Sequence, residues 1–311
     1  MKKIFVCALA LAAFAACQKN EVIEVPQGTA IAFNTFVDKS TKVTEAEDIT
    51  KANLTAFGVY GWRTADNTTE QIFNAQSVKA DNGVCTYSPL QYWAVGYDYQ
   101  FEAVAPEAGN ALTVAPAVGG STLTFTSDSE TDLVWARPTP IAYQTAEAKT
   151  VELTFQHLLS RVMFRVHNQF PAGAAAELTV TNLVIKNAVS QATITPAAAD
   201  RAWAPVANQV ADIEYEEAAL VNIAAGANAS TEHQYLIPAE LTSVEFDVTL
   251  TQGGVSNTYH HEIELSGEGV DPNAFIEIGR SLRINIVINP ENVDPENALY
   301  PIEFSADVLA W

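Results

Sequence analysis

Basic residues are scarce in this sequence. Sixteen Lys and Arg stand against 37 Asp and Glu in 311 residues, for a formal net charge of −21. Nucleic acid and anionic membrane surfaces are recognised through clustered cations, so this balance argues against either as a partner. Charged residues of both signs reach only 17%, below the usual quarter. Disorder is nevertheless disfavoured, because 48% of the chain is apolar and can build a sizeable core. A bilayer-spanning run is missing as well. Ile4 to Ala16 is unbroken by any polar residue, but its 13 residues fall short of the roughly 20 a transmembrane helix needs. No segment carries a sustained i, i+3, i+4 apolar stripe with good caps, which removes long amphipathic helices from the expectation. The length suits about two domains.

What is present begins with an export signal. Lys2 and Lys3 precede the apolar run, and the run ends Phe14-Ala15-Ala16-Cys17. A basic n-region, a short apolar h-region and small residues before the cut define a secretory signal peptide over residues 1–16. The segment resembles a bacterial lipobox, with Phe14 where Leu is usual and Cys17 as the lipid acceptor. Ordinary secretion after Ala16 is the plain alternative. Cys7 leaves with the leader and Cys17 is consumed by the lipid, so only Cys85 remains and an intramolecular disulfide is not expected. Multiple acyl chains, at about 0.8 kcal/mol per buried CH₂, would hold such a protein on the outer membrane.

Period-two alternation dominates the rest. Tyr97, Tyr99 and Phe101 alternate with polar residues, as do Val151, Leu153 and Phe155. The same pattern recurs at Val162–Val166, Val244–Leu250, Leu282–Ile288 and Ile302–Val308. Each run places one strand face on a core and the other in water. Asp81-Asn82-Gly83, Gly119-Gly120, Gly253-Gly254 and Asn289-Pro290 are turn signals between them. Ile213–Leu220 and the Ala-rich stretches at 172–176 and 197–199 read as short helices or loops. Many short strands with such turns predict antiparallel sandwiches. Thr139–Lys149 is the best boundary candidate.

Catalytic signatures are weak. His261-Glu262-Ile263-Glu264-Leu265 opens like a zinc-protease motif but has Leu265 in place of the second His, and strand alternation sends His260 and His261 to opposite faces. Asp128–Leu133 lacks the Gly of an EF-hand turn, and the remaining thiol cannot build a Cys-rich zinc site. His157 with Ser160 forms a nucleophile-like pair with no local oxyanion hole or orienting carboxylate. No catalytic, metal or cofactor residues are therefore assigned. Trp93 is read as core. Trp62 and Trp203 are read as sandwich core or rim, with sugar stacking as the alternative. Cys85 is read as a small apolar residue.

Several segments, in order, resemble the fimbrillin family of Bacteroidales. They are Ile31-Ala32-Phe33, Leu54–Tyr60, Tyr92-Trp93 with Tyr99–Pro106, and Asp132-Leu133-Val134-Trp135-Ala136. Leu153-Thr154-Phe155-Gln156-His157-Leu158-Leu159-Ser160-Arg161-Val162 is the most distinctive, followed by Tyr235-Leu236-Ile237-Pro238-Ala239 and Ile302-Glu303-Phe304-Ser305-Ala306 to Trp311. Gln18-Lys19-Asn20-Glu21 resembles the charged tails that send some Bacteroidota lipoproteins to the cell surface. The resemblance implies an all-β chain of two tandem transthyretin-like antiparallel β-sandwich domains, over 17–147 and 148–311.

It further implies a non-enzymatic pilus subunit, exported as a surface lipoprotein through Cys17 and assembled with other fimbrial subunits by β-strand addition. A protease would remove the first strand, and a strand from another subunit would fill the groove through ladder hydrogen bonds and seated side chains. Ile302, Phe304, Ala306 and Val308 are the candidate donor residues. A strand retained in a monomer has the same pattern. The resemblance implies cleavage after an Arg in the loop that follows the first strand; that loop holds no Arg here, so either Lys42, the nearest basic residue, is the processing site or the protein is not processed. The alternative is a monomeric surface lipoprotein or pilus-tip adhesin that binds glycan or host protein.

Overall fold

The structure, a computed structural model, describes residues 28–37, 53–81, 84–216, 218–265, 276–309 and 311. Its regular elements are strands, and no helix occurs among the described residues. In chain order they are β1 (Ala32–Val37), β2 (Ala56–Ala65), β3 (Thr68–Asp81), β4 (Val84–Thr86), β5 (Tyr97–Ala105), β6 (Leu112–Ala115) and β7 (Thr122–Thr126). β8 (Val134–Ala136), β9 (Ile141–Tyr143), β10 (Thr150–His157), β11 (Ser160–Asn168), β12 (Ala176–Val189), β13 (Gln191–Ile194) and β14 (Ala204–Pro205) follow. The last are β15 (Val210–Glu214), β16 (Ile223–Ala224), β17 (Asn228–Ser230), β18 (Gln234–Leu236), β19 (Ser243–Gln252), β20 (Val255–Glu264), β21 (Ser281–Ile288) and β22 (Glu303–Leu309). The all-β architecture expected from the alternation is thus observed. The stretches at 172–176, 197–199, 213–216 and 218–220 are strand ends and turns rather than helices.

The first sheet runs β2-β3-β4-β1-β10-β8-β5-β9, and an additional β2–β5 pairing closes it into a ring. The ring encloses an aromatic core. Phe33 meets Phe73 edge-on at 5.5 Å and Phe57 meets Phe155 at 5.4 Å, the geometry that ring quadrupoles favour. Gly61 is required at its place in β2, because a Cβ there would sit 2.9 Å from both Phe73 and Phe101. Trp93 is buried, stacks on Tyr143 at 5.0 Å and donates its indole N–H to the Lys149 carbonyl at 3.2 Å. β10, beyond the polar stretch at 139–149, is built into this first sheet.

A second body is a sandwich. One sheet runs β17-β11-β21-β22 with β18 also on β11; the other runs β15-β12-β19-β20 with β16 also on β12. Val162, Phe164, Val166, Ile284 and Ile286 from one face meet Leu178, Val180, Val244, Phe246 and Val248 from the other, all fully buried. Each such side chain contributes about 1.5–3 kcal/mol. Gly253 and Gly254, at φ 59° and 82°, make the two-residue turn between β19 and β20, which needs positive φ at both positions. Two ladders depart from antiparallel order: β1 runs parallel to β10, and β11 runs parallel to β21.

A third sheet, β14-β13-β7-β6, draws strands from both halves of the chain, with Ile194 opposite Leu123 and Ala192 opposite Phe125. Beneath it lies a third core that includes Tyr60, Trp62, Trp135, Leu158, Leu159, Trp203, Tyr235 and Trp311. The two bodies are therefore joined by an apolar core.

Candidate functional site

Two strands, β1 and β22, hold the residues singled out in the sequence. β1 is held by a six-pair parallel ladder to β10, from Ala32↔Thr150 to Val37↔Phe155. It has the single pair Asn34↔Val84 to the short β4, and the residues just before it are tied to 87–93: the Ile31 amide donates to the Gln91 carbonyl at 2.8 Å, the Trp93 amide to the Thr29 carbonyl at 3.0 Å and the Tyr87 hydroxyl to the Ile31 carbonyl at 2.7 Å. Ile31, Phe33 and Thr35 are buried and Val37 is half-buried, whereas Ala32 and Phe36 are exposed. Among the described residues the buried Thr35 hydroxyl has the weakly bonding Cys85 thiol as its counterpart and no other hydrogen-bond partner. Burial pushes that thiol above its ordinary pKa.

β22 is the edge strand of its sheet, antiparallel to β21 from Ser281↔Leu309 to Val287↔Glu303. Ile302 is buried, Phe304 and Ala306 are half-buried and Val308 is 45% exposed, while Glu303, Ser305 and Asp307 face solvent. Of the candidate donor residues, Ile302 and Phe304 pack on the second core. Asp307 accepts from Arg283 at 2.6 Å and from Asn285 at 3.0 Å, and these bonds hold its carboxyl below the usual range.

The strand leads to Trp311, which is 5% exposed and buried in the third core rather than the second. Its ring stacks on His157 with centroids 4.2 Å apart and on Tyr235 at 5.9 Å. The Arg161 guanidinium lies 5.4 Å from its centroid. Arg161 is itself 1% exposed, and its Nε donates to Ser281 Oγ at 2.9 Å. His157 Nδ1 donates to the Asp132 carboxylate at 2.8 Å. The register builds this cluster from neighbouring strands, since Arg161 pairs with Tyr235 on one side and Ser281 on the other, and Ser281 pairs with Leu309.

Sequence reasoning treated these residues separately. Asp132, His157, Arg161, Tyr235 and Trp311 all lie in segments quoted for the family resemblance, but their convergence depends on strand order. The structure also supplies His157 with an orienting carboxylate, Asp132, that proximity in sequence did not reveal. Ser160 does not complete a nucleophile: its hydroxyl is buried and donates to the Glu277 carbonyl at 2.6 Å. Trp62 and Trp203 are 6% and 9% exposed, so neither offers a ring face to a sugar, and Trp203 donates to the Leu158 carbonyl at 2.8 Å.

His260 and His261 do face opposite ways. His260 is exposed beside Asp247, and His261 is buried on the Val293 carbonyl. Asp128 closes its own turn by accepting from the Glu130 and Thr131 amides and the Thr131 hydroxyl. Burial works against its ionisation, but these bonds outweigh that and hold its pKa low. Cys17 and Lys42 lie outside the described residues.

Fold and site define an all-β protein of two joined bodies, with β1 parallel to β10 in one and β22 at a sheet edge in the other. A fimbrillin-like family profile matches residues 41–299, and the chain belongs to that family. Solved structures share the fold. A provisionally described cell adhesion protein of Bacteroides uniformis is 17% identical, with 91% of this chain and 99% of that one covered at a TM-score of 0.50. Others so described are from Bacteroides ovatus (11%, 91% and 98% covered, TM-score 0.52) and Bacteroides eggerthii (12%, 91% and 97%, TM-score 0.51). No curated protein matches.

Proposed function

We propose that this fimbrillin-like protein is a structural, non-enzymatic subunit of a surface pilus, exported as a lipoprotein on Cys17 and assembled by β-strand addition. One observation carries the reading. The inward residues Ile31, just before β1, and Phe33, Thr35 and Val37 within it recur at the same spacing as Ile302, just before β22, and Phe304, Ala306 and Val308 within it. A β22 segment from a second subunit therefore suits the β1 groove in register, parallel to β10. Only Thr35 is changed in kind, and Ala306 in its place would remove a poorly satisfied buried hydroxyl. Release of β1 after cleavage at Lys42 would break its ladder to β10, its pair to β4 and the bonds of Thr29 and Ile31 to 87–93, and would open a groove with those backbone groups unpaired.

The test uses protein cut after Lys42 and stripped of the preceding segment. A synthetic peptide covering Leu299–Trp311 is expected to bind one to one, and a peptide with Ile302→Asp and Phe304→Asp is expected not to. Equal binding of both peptides, or of neither, contradicts the reading.

A further inference from the structure

We propose that Trp311 is a latch: its indole, seated in a box made by His157, Arg161 and Tyr235, holds β22 on its own subunit until strand exchange. This rests on the reading of β22 as the donated strand, and it assigns a regulation to that strand.

The box is built independently of the strand it holds. Asp132 fixes the His157 ring, Ser281 fixes the Arg161 guanidinium, and the Tyr235 amide donates to the Ser129 carbonyl at 2.7 Å. Tyr235, Arg161 and Ser281 occupy adjacent strands at one level of the sheet, so the box is a rigid floor. A buried cation over an indole face and two stacked rings form a specific seat for an aromatic side chain.

The strand leading to that seat is loosely held. Among the described residues β22 pairs with one strand, β21, and its second half offers little apolar burial: Ala306 is small and Val308 is 45% exposed. Its polar ties, Arg283 to Asp307 and Asn285 to Ser305 and Asp307, lie on the exposed face, where such pairs add little. Ile302 anchors the start of the strand and Trp311 anchors the far end, in a different core. Withdrawing the indole therefore frees the half of β22 that the second core does not grip. Because the seat lies between the two bodies, occupancy also links strand retention to their junction.

The test uses the full chain with Trp311→Ala, and Trp311→Phe as the conservative variant. Amide hydrogen exchange is followed across β22 and, as an internal reference, across β19. The latch predicts exchange in Asp307–Leu309 accelerated by about tenfold or more in Trp311→Ala with β19 unchanged, and a partial return in Trp311→Phe. His157→Ala, which leaves the indole in place but removes one wall, is expected to give an intermediate acceleration. Unchanged β22 exchange in Trp311→Ala and His157→Ala overturns the latch, even if strand-linked oligomers still form. Accelerated exchange without any strand-linked oligomer upholds the latch while contradicting strand donation.

Discussion

His157 lies nearly flat against Trp311, with ring centroids 4.2 Å apart and planes inclined by 24°. The imidazole belongs to the last residue of β10, in the first sheet, and the indole follows the last strand of the second body. The two halves of the chain meet through this pair and the core around it. On its far side the imidazole is fixed by Asp132, which is 3% exposed.

Removing that carboxylate leaves a buried ring nitrogen without its acceptor. Asp132→Ala is expected to cost about 2 kcal/mol, within the range for an unsatisfied buried polar group. Asp132→Asn keeps an acceptor oxygen and should lose less. Denaturant midpoints of the two variants check this order; equal losses would contradict the role given to the bond.

Ala306 separates the retained strand from the donated one. It is half-buried on an edge strand and does not belong to the second core, so Ala306→Asp should change the stability of the full chain by less than about 1 kcal/mol. In the β1 groove the same position is that of Thr35, which is fully buried. A charge there has no partner, and subunit linkage should be abolished. Thermal melts and size-exclusion profiles of processed protein report the two effects separately.

His261 gives the protein an acid limb. Burial lowers its proton affinity below the ordinary 6.5, with the Val293 carbonyl opposing and nearby His260 reinforcing the shift. The unfolded chain therefore binds this proton more readily than the folded one, and stability falls as pH drops from about 6.5 through the lowered folded value. His261→Gln can retain a donor to Val293 and does not titrate. Its stability should fall less than that of the native protein between about pH 7 and pH 5, as read by melting temperature. An unchanged acid limb would contradict the assignment.

Glu102 has the opposite sign. Burial raises its pKa, while the Ser121 amide at 3.0 Å and Arg137 at 3.4 Å only partly offset that cost. The folded state holds the proton more tightly than the unfolded one, so ionised Glu102 opposes folding near neutrality and this penalty fades in acid. Glu102→Gln keeps an acceptor for the Ser121 amide. It should melt no lower than the native protein at neutral pH, and any gain should shrink on acidification. A clear loss at neutral pH would show that the Arg137 pair outweighs burial.

Strands with one mainly buried face were legible in the sequence, among them β10 and β21, whose alternation survives from end to end, and β5, β11, β19 and β22, whose alternation holds over part of the strand. β12 was not. Its buried residues fall at Ala176, Leu178, Val180, Leu183, Ile185 and Ala188, with the alternation broken by register shifts after Thr181 and Ile185. Asn182 and Asn187 sit at these breaks with φ of 56° and 54°, a conformation Asn tolerates better than most residues. β3 was hidden for another reason: it is polar on both faces over much of its length, and only Phe73, Val78 and Ala80 are buried. The alternation of β22 was readable, but the seat of Trp311 was not, since it depends on β11 lying between β18 and β21.

Strand addition between subunits is tested most directly by cysteine cross-linking. In the present chain Asn34 faces Glu152 across the β1–β10 ladder, its amide donating to the carboxylate at 3.0 Å, and Ser305 occupies the position in β22 that corresponds to Asn34. Ser305 lies instead beside Asn285 of its own subunit. After removal of β1, a subunit carrying Ser305→Cys and Glu152→Cys is predicted to form disulfide-linked ladders of two, three and more subunits. Ser305→Cys with Asn285→Cys should then close an internal bond only before assembly. If processed Ser305→Cys/Glu152→Cys protein stays monomeric under oxidation while the Asn285 pair closes fully within each subunit, β22 is a retained strand and the account is wrong.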